Sequence, residues 1–238
     1  RIGSALALSQ ELGHSGTLGD TLSMCVLLAA MLRDDLALQD PMAALVEVAS
    51  SENLQNYLAL ARTCQGSELL LAGQKEEGLA FLNEALPHLL GSEFAWFAPL
   101  VTEAISALGK SGSHDEARAL IERTLEIAEE KGTTWWLAEL HRVRGELALG
   151  HDAAKATASF QTAIEIAGQQ GARLLELRAA ASLAELWRCE SRIGEAKALL
   201  GAIYEQFTEG HGTADLKSAK TLLATLDQTR SGPSSLGF

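Results

Sequence analysis

The stretch Ala156-Thr-Ala-Ser-Phe160-Gln-Thr-Ala163 decides the fold. A small residue at 156, a large apolar one four positions on and another small one three further fall on one face of a helix. The same order recurs at Gly78–Leu82–Ala85, Ala117–Ile121–Thr124 and Ala196–Leu200–Ile203. The starts, at 78, 117, 156 and 196, are 39, 39 and 40 residues apart. The small residue lets a neighbouring helix come close, and the large one fills the gap beside it. A fifth copy is expected to begin near Ala43.

Each of these helices has a partner upstream. Leu183, Ala184 and Trp187 form the inner face of one, and Leu140, Gly145 and Leu149 hold comparable places in another. Gly66 precedes Gly78 by 12 residues, as Ala184 precedes Ala196. Boundary residues fit this reading. Asp40-Pro41 suggests an N-cap followed by proline at the first helical position. Ser113 and Glu116 suggest a capping box. Gly91, Gly112, Gly132 and Gly171 fall where one helix ends and the next begins. The expected plan is a leading helix at 2–13 and five pairs: 17–34 with 41–51, 53–72 with 75–90, 93–109 with 114–131, 133–149 with 153–170, and 172–190 with 192–208. A capping helix at 214–228 follows, so that 1–230 forms one array and 231–238 a disordered tail. One pair cannot bury its own apolar face, and stacking on neighbours makes the core continuous.

Composition agrees with an all-α chain. Of 238 residues 47% are hydrophobic but only 5% aromatic, so Ala and Leu dominate, and these are the best helix formers. The formal charge is −12. No dense basic cluster is present to neutralise phosphates, which argues against direct nucleic-acid binding. Cys25, Cys64 and Cys189 are far apart and read as reduced thiols of a cytoplasmic protein. The most apolar run, Val26–Leu32, is far short of the roughly 20 residues that cross a bilayer, so no membrane association is expected. The chain opens at Arg1 inside a helical pattern, as a piece of a longer protein would.

The small-x3-large-x2-small order, with Gly or Ala 11 or 12 residues upstream, resembles the tetratricopeptide repeat. The resemblance implies a right-handed superhelix, or solenoid, of stacked antiparallel helix pairs. A narrower resemblance covers about 133–228. It is carried by Trp135-Trp136 through Leu147, by Ala158-Ser-Phe160 through Arg178, and by Phe207-Thr-Glu209-Gly210 with Asp215-Leu-Lys217. These runs look like the C-terminal helical region of large bacterial signalling ATPases. In those proteins a class III adenylate/guanylate cyclase or a DNA-binding domain precedes a P-loop ATPase, and helical repeats follow. This implies a regulatory, partner-sensing array whose partner is a protein or peptide, upstream modules of the same polypeptide included.

Motifs that would carry catalysis fail on named residues. Gly109-Lys110-Ser111 resembles the end of a phosphate loop, but Ala104 stands where the motif's first glycine belongs and no strand precedes it. Gly13, Gly16 and Gly19 read as a flexible turn. The histidines are dispersed without metal-ligand spacing, and no nucleophile elbow occurs. No cofactor, metal or catalytic residue is therefore expected.

In the tetratricopeptide register the first helix of each pair lines a groove. Its candidate binding residues are Glu139, Arg142 and Glu146 in the fourth pair, and Arg178, Glu185 and Arg188 in the fifth. Earlier pairs offer the blander Leu60, Thr63, Ser67, Thr102 and Ser106. Arg can hold a carboxylate with two parallel hydrogen bonds, which suits an acidic peptide or a chain terminus. The competing reading makes Glu139–Arg142 and Glu185–Arg188 local i,i+3 pairs worth a few tenths of a kcal/mol. If the groove reading holds, reversing Arg142 and Arg178 to Glu weakens binding with helicity intact. Of Trp135 and Trp136, one is expected in the core and the other, Trp135, at the groove edge. Two functions follow: a non-catalytic protein-interaction scaffold, or an array that senses a small effector in its groove, as in the maltose-responsive regulators it resembles.

Overall fold

A computed structural model describes residues 2–91 and 94–230. The tail expected to be disordered, 231–238, lies outside the described residues. Those residues form twelve α-helices and no strand. They group into two compact units, Arg1–Thr133 and Thr134–Phe238. The first holds α1 (Ile2–Leu12), α2 (Ser15–Leu32), α3 (Asp35–Ser51), α4 (Gln55–Leu71), α5 (Lys75–Leu89), α6 (Phe94–Lys110) and α7 (His114–Glu130). The second holds α8 (Leu137–Ala148), α9 (Ala153–Gln170), α10 (Arg173–Cys189), α11 (Ile193–Tyr204) and α12 (Ala214–Arg230). Within each unit every helix packs on the next in sequence. Alternate helices also touch: α2, α4 and α6 in the first unit, and α8, α10 and α12 in the second.

The repeat read from the sequence is a repeat of packing. All twelve positions of the four copies are buried, on α5, α7, α9 and α11. The small residues act by close approach. A Cβ on Gly66 would stand 3.0 Å from the Gly78 carbonyl oxygen, and one on Gly78 2.9 Å from that of Gly66. Gly145 meets the Phe160 ring in the same way, at 2.6 Å. Gly78→Ala is expected to lower stability, because backbone atoms of α4 cannot step aside and overpacking costs about 1–3 kcal/mol. That exceeds the roughly 0.5–1 kcal/mol that alanine adds in a helix interior. Gly201→Ala in α11, whose nearest atom would be Leu223 Cδ2 at 4.0 Å, is expected to stabilise. Urea unfolding of the two variants checks the contrast.

Several local expectations are corrected. Helix α3 begins six residues before Pro41, because the Asp34 side chain accepts a hydrogen bond from the Ala37 amide at 3.1 Å and caps it there. Pro41 thus lies inside the helix, where it lacks the N–H that would reach the Ala37 carbonyl. The fifth copy is not in the register of Ala43, which is exposed; Met42, Leu45 and Ala49 face the core instead. Ser113 does precede α7, but its buried hydroxyl makes no capping bond. Gly112, at φ +85°, turns the chain there and aims Ser113 inward. Leu149 is exposed rather than inward-facing. Gly16 and Gly19 belong to α2, not to a turn, and only Gly13 takes a left-handed conformation. Gly19 is needed for packing: a Cβ there would meet the Tyr57 ring at 2.6 Å.

Helix α2 has 18 residues with a mean hydropathy of 1.4, so by length and composition alone it could cross a membrane. The apolar run Val26–Leu32 is the last part of this helix. In the first unit its Leu22, Val26, Leu27 and Ala29 are core residues, and it packs on α3, α4 and α6.

Candidate functional site

The polar residues singled out from the sequence fall into two groups in the second unit. Glu139, Arg142 and Glu146 of α8 and Arg178 of α10 come together, with Asp215 of α12, in a chain of alternating charge. Arg142 Nη2 donates to Glu139 Oε1 at 2.7 Å, and Arg142 Nη1 donates to Glu146. Arg178 Nη1 lies 3.9 Å from the same Glu139 oxygen. The Nε and Nη2 of Arg178 donate to Asp215 Oδ2 at 3.0 and 2.7 Å. Glu139, Arg142 and Arg178 are 1%, 4% and 5% exposed, so their charges face one another and not solvent. Burial pulls the Arg142 pKa down, but the carboxylates of Glu139 and Glu146 outweigh it and hold the guanidinium above its ordinary value.

The open mixed-charge groove is therefore not what these residues make. Their shared role is to tie three helices. The period explains why: Arg178 follows Glu139 by 39 residues, and Asp215 follows Arg178 by 37. Equivalent places on successive first helices thus carry minus, plus and minus. Asp215 was missed; it stands 37 residues after Arg178, two short of the 39-residue step that separates Arg178 from Glu139. Reversing Arg142 and Arg178 to Glu would gather five carboxylates in a buried cluster. Loss of folding, not intact helicity, is the expected result.

Glu185 and Arg188 lie apart from that chain. They form an i,i+3 pair on α10, with Arg188 Nε and Nη2 donating to the two Glu185 oxygens at 2.9 and 2.6 Å. Hydrogen bonds from Arg188 hold the Glu185 carboxyl below its ordinary value. The pair is solvated, so its contribution to stability is small. Trp135 and Trp136 both precede α8 rather than belong to it. Trp136 is 3% exposed and Trp135 41%, their ring centroids 5.1 Å apart. Thr63 and Thr102, expected in the groove, are buried and donate to carbonyls of their own helices at 2.8 and 2.7 Å. Lys110 ends α6 and Ser111 follows in the turn.

A cleft in the first unit offers the surface that the ion chain does not. It encloses about 760 Å³ between α2, the start of α4 and the start of α6. Asp20 and Met24 come from α2, Asn53–Tyr57 from the α3–α4 junction, and Trp96 and Phe97 from α6. Trp96 is 65% exposed and Met24 47%. Tyr57 donates its hydroxyl hydrogen to Asp20 Oδ1 at 2.7 Å. The absent side chain at Gly19 lets the Tyr57 ring lie against α2. None of this was assembled from the sequence, because the three segments are distant in the chain and share no motif. The bare signal was Trp96 itself, an aromatic beside Phe97 in an apolar run. Among the described residues no group of three or more His, Cys, Asp or Glu is placed to hold a metal ion.

No family model matches the chain. An uncharacterised protein of Rhizobium meliloti (strain 1021) is 38% identical over 81 residues, which are 33% of this chain and 8% of the relative. The matched part is thus a small share of a protein on the order of a thousand residues long.

Proposed function

We propose that the chain is a non-catalytic, tetratricopeptide-like array that binds a protein partner and serves as the regulatory part of a larger signalling ATPase or nucleotide cyclase. One observation carries the reading. The 39–40-residue sequence period is also a period of burial, with the small and large residues of every copy inside. Stacked helix pairs of this kind present extended surfaces that suit protein ligands. Fold alone does not fix function, so the exposed aromatic surface at Trp96 adds separate support, since Trp is enriched among binding hot spots. The much greater length of the Rhizobium meliloti relative fits a chain that works within a larger protein. A cytoplasmic setting fits three free thiols, two of them buried.

The second reading, a metabolite sensor, is favoured by the cleft, whose volume of about 760 Å³ lies in the range of small-molecule sites. Affinity capture followed by reconstitution from purified components separates the two. The expected outcome is a defined complex with a purified protein. Stabilisation by a small metabolite, with no protein pair reconstituting, would replace the first reading by the second.

A further inference from the structure

We propose that the cleft between α2, α4 and α6 receives a lysine or arginine side chain from a peptide segment of the partner. The inference rests on the protein-binding reading above and names the chemistry of its ligand. Charge comes first. Among the described residues that line the cleft, Asp20 is the single formally charged group, and none is Lys, Arg or His. The chain as a whole carries −12. An anionic ligand would find neutral hydrogen-bond donors but no cationic side chain among these residues, whereas a cation is attracted both at a distance and on contact.

The walls supply the rest. Trp96 and Tyr57 line the cleft with aromatic rings, and such rings attract ammonium and guanidinium groups through the ring quadrupole. Asp20 does not have to be ordered by the ligand. Tyr57 holds its Oδ1 at 2.7 Å, and Tyr57 is itself fixed against Gly19. A carboxylate oriented in advance costs less entropy on binding. Size separates a peptide from a free amine. The volume of about 760 Å³ far exceeds one cationic side chain, and Met24, Leu54 and Phe97 leave apolar surface beside the acid. The residues flanking a Lys or Arg in a peptide would cover it, and an isolated amine would not.

The test is selection of peptides from an unbiased displayed library on the whole chain, followed by titration of the selected peptides. The selected peptides are expected to be enriched in Lys or Arg. Asp20→Asn, which keeps an oxygen for the Tyr57 hydroxyl, and Trp96→Ala are each expected to weaken them roughly tenfold. Arg188→Ala in the second unit should leave affinity unchanged. Thermal unfolding confirms that the variants stay folded, since both cleft residues are exposed. Failure to select any peptide, selection of acidic peptides, or affinity indifferent to both cleft variants would overturn the proposal. So would arginine amide or spermidine binding as tightly as the peptides, because the ligand would then be a free amine. With a reconstituted protein pair the two claims separate. A pair that forms and ignores Asp20→Asn and Trp96→Ala removes the cleft but keeps the function. No pair at all removes the function.

Discussion

Arg178→Ala is expected to destabilise the second unit by about 3–5 kcal/mol, the cost of leaving buried charge without its partner. Arg178 donates twice to Asp215 and lies 3.9 Å from Glu139, so one substitution removes the ionic ties of α10 to both α8 and α12. Arg178→Lys should recover only part of the loss, because an ammonium is one point charge and cannot reproduce the planar fork. Removing both charges, as in Arg178→Met with Asp215→Leu, should cost less than the sum of the single changes. Urea unfolding followed by tryptophan fluorescence reads this directly, since Trp135, Trp136 and Trp187 all report on that unit. Additive single effects would mean that the ion chain is not the tie described here. Added salt should change the result little, because buried pairs are weakly screened.

Phe160→Ala should cost a similar amount, about 3–5 kcal/mol for a fully buried aromatic. Phe160 is 0% exposed and packs in one cluster with Ala148, Ala156 and Leu183, with Trp187 and Leu199 at its edge. The ring also touches α8 where Gly145 leaves room for it. That contact makes a sharper prediction than the loss alone. Gly145→Ala should destabilise the normal chain, since its Cβ would stand 2.6 Å from Phe160 Cε1. In the Phe160→Ala background the clash is gone, and the same change should stabilise by roughly 0.5–1 kcal/mol. A sign that does not reverse in this cycle would show that the small and large residues of the repeat are not packed on each other.

Much of the fold was legible because four helices, α5, α7, α9 and α11, repeat one pattern of burial. Gly78, Ala117, Ala156 and Ala196 announced it through size alone, and their large partners followed at fixed spacing. Helix order and most boundaries came from the same pattern. Where the pattern weakened, so did the reading. Asp40-Pro41 has the chemistry of a helix start, but Asp34 caps the chain first and the helix runs on through proline. Gly19 looked like turn chemistry because its use, admitting Tyr57 from α4, depends on a contact between distant segments.

The binding surface was harder to read than the fold. Of the charged residues expected to share a groove, Glu139, Arg142, Glu146 and Arg178 come together while Glu185 and Arg188 stand apart, and sequence gives no burial. Glu139, Arg142 and Arg178 spend their charges on one another and on Asp215. A local i,i+3 pair describes Glu185–Arg188 well and Glu139–Arg142 only in part, since the latter extends through Arg178 to a third helix. The cleft was invisible for a different reason. Asp20, Tyr57 and Trp96 converge only when α2, α4 and α6 pack together.

Whether the chain binds a protein is tested most directly by equilibrium binding to a purified partner recovered by affinity capture, read by titration calorimetry with a small-metabolite panel in parallel. Saturable, stoichiometric binding to the protein is expected, with no comparable response to any metabolite. A metabolite that binds in the absence of any reconstituted protein complex would contradict it.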